Sequence, residues 1–299
     1  MDAVSPDLHG KVGIVTGAGA GLGRAEALAL AAAGADVVVN DVSDAVSQVV
    51  EEITALGAKA VLVTGDVAER ETADALTRTA VERFGGLHVV VNNAGIAADR
   101  RLFNMSDAEW DAVIRVHLRG HFLLSRNAAA YWKELSKAEA AVVSGSVINT
   151  ASEAFLLGAD AQPNYAAAKA GIAALTVATA RGMARFGVRA NAICPRARTA
   201  MTQQVFGDAP VDGIDPLSVE HVAPFVSYLA SDAAARISGQ VFVVHGGMVA
   251  LLAAPSIEHR FDTAAGTWTA AELASTVGGY FAERDPERNF SLPELMSLP

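Results

Sequence analysis

A short apolar run, Lys11 to Thr16 (KVGIVT), opens into Gly17-Ala18-Gly19-Ala20-Gly21-Leu22-Gly23 and then into an Ala/Leu-rich stretch stopped by Gly34. Strand, glycine loop and helix in that order constrain the fold more than any other stretch. Glycines let the backbone turn sharply and approach a pyrophosphate, whose charge then rests on the first amides of the helix. The helix is expected over Arg24 to Ala33. Gly17, Gly19, Gly21, Leu22 and Gly23 are therefore candidate cofactor-binding residues. A flexible Gly/Ala loop would read the same way in isolation, so the neighbouring residues decide.

The next run, Asp36 to Asn40 (DVVVN), reads as a second buried strand with Asp41 at its end. Asp41 follows Gly23 by eighteen positions (41 minus 23), where a carboxylate can accept hydrogen bonds from an adenosine ribose. It would repel a 2′-phosphate, and no Arg or Lys occurs between Arg24 and Lys59, so NAD is preferred over NADP. A turn residue or helix N-cap is the competing use of Asp41.

The alternation continues. A helix is expected over Ala45 to Leu56, a strand over Ala60 to Thr64, and Asp66-Val67 then stand where they could touch an adenine. A helix over Glu69 to Phe84 leads to the strand Leu87 to Val91 and to the small polar turn Asn92-Asn93-Ala94-Gly95. Beyond a polar loop, one long helix is expected from Asp107 to about Leu135, with Ser136 to Ser144 as a surface connection. The strands Ser146 to Ala151, Val188 to Cys194 and Gln240 to Val244, with helices from Pro163 and over Leu217 to Ser231, complete the pattern. Helices alternating with short apolar strands define an α/β fold, a doubly wound parallel sheet whose ligands bind beyond the C-terminal ends of the strands. With 52% apolar and 19% charged residues the chain can bury a large core. We expect residues 1–250 to form one domain. Residues 251–299, with one helix over Ala270 to Ala282, form an extension that packs on the domain or on a partner subunit.

Chemistry concentrates at Ser152 to Gly171 (SEAFLLGADAQPNYAAAKAG). Tyr165 and Lys169 are four apart and share one helix face. Ser152 precedes Tyr165 by thirteen positions (165 minus 152), enough chain to fold back over it. A hydroxyl, a phenol and an ammonium at one point form a proton-transfer site for a carbonyl or alcohol. The ammonium is expected to lower the phenol's pKa, Tyr165 to move the proton, and Ser152 to hold the substrate oxygen. By itself Y-x-x-x-K is a weak signal.

A net charge of −10 disfavours nucleic-acid binding. No apolar run is long enough for a membrane span, and MDAVSPDLHGK does not resemble a signal peptide, so a cytoplasmic location is expected. The single Cys194 lies in the apolar run AICP and reads as a core residue. No metal-ligand pattern occurs.

Together, Thr16-Gly17-x-x-x-Gly21-x-Gly23, Asp66, Asn92-Asn93-Ala94-Gly95, Ser152 and Tyr165-x-x-x-Lys169 resemble the short-chain dehydrogenase/reductase family over about residues 8 to 250. The resemblance implies a Rossmann-type sheet of about seven parallel strands, NAD(P) dependence and a homodimer or homotetramer. It also implies Tyr165 as acid/base, Lys169 on the nicotinamide ribose, Ser152 on the substrate oxygen, and cofactor contacts from Asp66, Val67, Asn93, Ala94, Gly95, Pro195 and Thr199. GAGLGRAEALALAAAGADVVVND and NNAGIAADRRLFNMSDAEWDAVIRVHLRGHF are similar to the (3R)-hydroxyacyl-CoA dehydrogenase part of multifunctional β-oxidation enzymes. That likeness implies a 3-hydroxyacyl or 3-oxoacyl thioester, such as an acyl-CoA, as substrate. Two departures stand out. His117 in VHLRG replaces the family's usual relay Asn, as it does in the multifunctional group, and Pro195-Arg196 replaces Pro-Gly. Arg196 and Arg198 could meet a CoA phosphate or lie solvated on the surface. Another alcohol or steroid as substrate, and a non-catalytic NAD sensor, are the alternatives.

Overall fold

In the computed structural model residues 6–44, 46–286 and 288–298 are described. The first half alternates strictly: β1 (Val12–Thr16), α1 (Gly21–Ala32), β2 (Asp36–Asp41), α2 (Val46–Ala55), β3 (Ala60–Thr64), α3 (Arg70–Phe84) and β4 (Val89–Asn92). Then come α4 (Asp107–Ile114), α5 (Gly120–Glu139), β5 (Gly145–Thr150), a single turn α6 (Ala154–Leu157), α7 (Pro163–Met183) and β6 (Val188–Pro195). A short α8 (Gln203–Phe206), α9 (Ala223–Ala230), β7 (Val241–His245), β8 (Met248–Leu251) and α10 (Ala270–Glu283) complete the chain.

The strands lie in one sheet in the order β3-β2-β1-β4-β5-β6-β7-β8. The first seven are parallel, and β8 runs antiparallel beside β7, pairing Val244 with Val249. The order reverses between β1 and β4, and a crevice opens at that switch point. Continuous apolar runs suit strands buried on both faces, and β1, β4 and β5 are buried along their whole length. The two-residue period then divides the core. Val37 and Val39 pack with α1, α2 and α9 on one face; Val38, with Ile14, Val90, Val147 and Ala190, packs under α3, α5 and α7 on the other.

Several boundaries differ from the sequence expectation. The helix expected from Ala45 begins at Val46; Ala45 lies outside the described residues. α1 begins at Gly21, because the glycine loop winds directly into the first turn. The single helix expected from Asp107 to Leu135 is two helices joined by a π-helical turn, Arg115–Arg119, and the second continues to Glu139. The expected Leu217 to Ser231 helix is a 3-10 turn at Val219–His221 followed by α9. β8 is an eighth strand beyond the seven expected, and it ends at Leu251, where the extension was expected to begin. Among the described residues no helix is long and apolar enough to cross a membrane.

Candidate active site

The glycine loop is held open by close backbone approach. A Cβ on Gly23 would lie 2.2 Å from the Gly17 carbonyl oxygen and 2.6 Å from Asn93 Nδ2, so only glycine fits. The Asn93 side chain donates to the Thr16 and Gly17 carbonyls at 3.1 and 3.4 Å. The Asn93 and Ala94 amides donate to Thr16 Oγ1, which pins the β4 turn to the end of β1. Asp41 reaches the same loop, its Oδ2 accepting the Gly19 N–H at 2.9 Å. Asp66 caps its own turn through the Ala68 N–H and is paired with Arg115 at 2.6 Å. Val67 beside it packs so closely on α5 that a Cβ on Gly120 would lie 2.8 Å from Val67 Cγ2. Thr199 stands over the loop, its Cγ2 3.4 Å from where a Gly21 Cβ would be, with its hydroxyl 3.2 Å from Thr202 Oγ1. The cradle of glycines and first-turn amides, with the Asp41 carboxylate at its edge, fits a dinucleotide.

Beside it, β5 ends and delivers Ser152, while Pro163 at the first turn of α7 places Tyr165 and Lys169 one helical turn apart. The Ser152 side chain faces the Tyr165 phenol and favours its ionised form. The Lys169 ammonium, only 2% exposed, donates to the Thr150 carbonyl and lies 5.3 Å from the Tyr165 ring centroid. His117 meets the edge of the same ring with centroids 5.3 Å apart and planes at 88°. Its Nε2 lies 2.8 Å from the Ile96 carbonyl oxygen and 3.0 Å from the Ile96 nitrogen, and its Nδ1 is buried without a partner. The four expected catalytic side chains thus share one cluster.

Their protonation differs from the sequence expectation. Burial raises the Tyr165 phenol above its usual value, and the Ser152 side chain only partly offsets this. The expected lowering by Lys169 is not found, and burial pushes Lys169 itself down to about 7. Burial and the nearby Lys169 charge hold His117 down at about 3, so it is neutral.

Arg196 and Arg198 are not free for a phosphate. Arg196 binds Glu153 through Nε at 2.7 Å and Nη2 at 2.8 Å, and Arg198 pairs with Asp215 at 3.0 Å. Cys194 is fully buried, with its thiol pushed up to about 12 by burial. It is a core residue.

Sequence reasoning missed the polar spine beneath the site. Asn92 donates to Ser125 Oγ and Asn149 Oδ1, and Asn149 donates to Thr176 Oγ1. Asn164, also fully buried, donates to the Ala98 and Glu109 carbonyls and accepts the Tyr165 N–H. The apolar strands and Ala-rich helix gave only one signal of this, an Asn at positions where a buried residue should be apolar.

A Rossmann-type sheet, a dinucleotide cradle at its switch point and a Ser/Tyr/Lys cluster beside it define an NAD(P)-dependent oxidoreductase. The pattern of the short chain dehydrogenase family matches residues 11–209, and the chain belongs to that family. It is 59% identical over 97% of its length to hydroxyacyl-CoA dehydrogenase ChsB1 of Mycobacterium tuberculosis, covering 94% of that protein. It is 42% identical to a 3-oxoacyl-[acyl-carrier-protein] reductase of Synechocystis, over 81% of this chain and 98% of that one. A peroxisomal hydratase-dehydrogenase-epimerase of Neurospora crassa is 35% identical over 97% of this chain, which spans 31% of that larger protein. A crystal structure of a short chain dehydrogenase from Mycobacterium avium superposes with a TM-score of 0.84 at 45% identity, covering 93% of this chain and 97% of that one.

Proposed function

We propose that the protein interconverts a 3-hydroxyacyl thioester and its 3-oxoacyl counterpart with NAD as cofactor. The observation that carries the reading is the meeting of Ser152, Tyr165 and Lys169 at the end of β5, beside a cradle whose Gly19 amide is bound by Asp41. Relatives named for hydroxyacyl-CoA and 3-oxoacyl chemistry support the acyl thioester. A bound NAD would supply a hydride acceptor for oxidation of the carbinol and a hydride donor for reduction of the ketone. Ser152 holds the substrate oxygen, Tyr165 takes or gives its proton, and the buried Lys169 supplies positive charge beside the developing phenolate. Asp41 favours NAD by repelling a 2′-phosphate. The same reading includes a cytoplasmic homodimer or homotetramer, with residues 251–299 packed on the domain or on a partner subunit.

The test is NADH formation from NAD+ and a panel of 3-hydroxyacyl-CoA thioesters, hydroxysteroids and simple secondary alcohols, for wild type and Tyr165→Phe. Thioester turnover that falls by about a hundredfold or more in the variant supports the reading. Turnover with only another class keeps the proton-transfer roles and removes the thioester. Saturable NAD binding with no turnover across the panel favours a sensor.

A further inference from the structure

Arg196, directly after β6, lies in a largely buried ion pair. Its side chain is 17% exposed and that of its partner Glu153 is 11% exposed, in a bidentate pair at 2.7 and 2.8 Å. The same guanidinium donates to two backbone carbonyls from a distant part of the chain: Leu298 at 3.0 Å through Nη1, and Leu295 through Nη2. Its own amide donates to the Val244 carbonyl at 2.9 Å, so the residue is fixed to the sheet.

Glu153 follows Ser152 directly and starts α6, its carbonyl accepting the Leu156 and Leu157 amides. The segment that supplies the two carbonyls pairs with the far side of that turn, the Leu292 N–H donating to the Leu156 carbonyl at 2.9 Å. Leu295 is 3% exposed and packs with Ala151, Ile172, Cys194 and Val243, and α6 leans on the same cluster through Phe155, Leu156 and Leu157. One arginine therefore joins three things: the loop that carries Ser152, the end of β6, and segment 292–298.

We propose that Arg196 is a positioning residue for Ser152. Its guanidinium seats segment 292–298 behind α6, and the seated segment holds the serine turn in place. The catalytic readout of this inference rests on the function proposed above. The physical basis is that a planar fork can meet both carboxylate oxygens and two carbonyls together, whereas an ammonium cannot. Without it, the Glu153 carboxylate, 11% exposed, and the carbonyls of buried Leu295 and half-buried Leu298 lose their donor, and the serine turn loosens.

Hydrogen exchange of residues 152–158 tests the latch without substrate. We expect Arg196→Lys, Glu153→Gln and a chain ending at Leu292 each to raise exchange there about tenfold, with the amides of β1 and α1 and NAD+ affinity unchanged. With 3-hydroxyacyl-CoA substrates, kcat falls about tenfold, and the double variant loses no more than either single one. Unaltered exchange at 152–158, or an equal rise across β1 and α1, overturns the proposal. If the wild type turns over no thioester, the functional reading fails on its own, and the exchange result still decides the latch.

Discussion

Glu26 is fully buried on α1, three residues past Gly23, with both carboxylate oxygens unpartnered. Burial raises it from 4.5 to about 8, and the Lys169 charge pulls only weakly the other way. Between those values the folded protein holds a proton that the unfolded chain has released, so this group's contribution to stability falls as pH rises from 4.5 towards 8. Lys169 has the opposite sign: it is about 7 when folded against 10.5 when free, so its penalty is relieved as pH rises through and above 7. Glu26→Gln removes the first effect and, with the Glu26 charge gone, also removes a minor upward pull on Lys169. Thermal melts at about pH 5 and about pH 8 should show the variant gaining several degrees on wild type at the higher pH. Parallel profiles would mean that the carboxyl is not held neutral. Asp41 is the other residue whose role a single change isolates. Asp41→Ala removes the carboxylate on the Gly19 amide and any repulsion of a 2′-phosphate, so the ratio of kcat/KM for NAD+ over NADP+ should fall about tenfold or more. An unchanged ratio would assign Asp41 to the loop's stability alone.

At the scale of elements, the π turn Arg115–Arg119 is what carries His117 to the Tyr165 edge and the Ile96 backbone. The fit is tight, since a Cβ on Gly95 would lie 2.4 Å from His117 Cε1. Because His117 is neutral at all pH values well above 3, it adds no step to a pH–rate profile. His117→Asn should therefore keep the profile's shape between about pH 5 and 9 while lowering its height by no more than about tenfold. Loss of a limb near neutrality would show that the imidazole titrates during turnover. This turn was not legible in the sequence: it keeps the apolar rhythm of the flanking helices, and only hydrogen bonding reveals the extra residue. The parallel strands were legible, because VGIVT, DVVVND and GSVINT are apolar runs bounded by glycine or polar turns. So was the Ser152/Tyr165/Lys169 cluster, whose spacing follows from one turn of α7. Its protonation was not, since proximity can be read from spacing and depth of burial cannot. The Glu153–Arg196 pair was hidden for a related reason: its members are 43 residues apart and join across neighbouring strand ends.

Considered as a whole, the molecule has two parts of unequal firmness. The sheet and its flanking helices bury core clusters on both faces, whereas α10 has no buried residue at all. The stretch around it is held mainly to itself: His259 stacks on Tyr280 at 4.7 Å, and Glu258 pairs with Arg284 and Arg288. Exposed pairs of this kind contribute little, roughly 0–1 kcal/mol each. By contrast, Leu295 and the carbonyls of 295 and 298 are fixed to the body through the core and Arg196. An outer loop tethered at both ends should open locally without the sheet unfolding. Brief trypsin treatment should cut first after Arg260, whose side chain is 78% exposed, and the fragment carrying 292–298 should stay bound in a native mass measurement with NAD+ affinity intact. Dissociation of that fragment would mean that the Arg196 contacts cannot hold the segment unaided. Resistance at Arg260 would mean instead that a second copy of the chain covers α10, the arrangement expected if residues 251–299 serve the oligomer. Dilution should then restore cleavage, because an interface between copies weakens with concentration and an intramolecular contact does not.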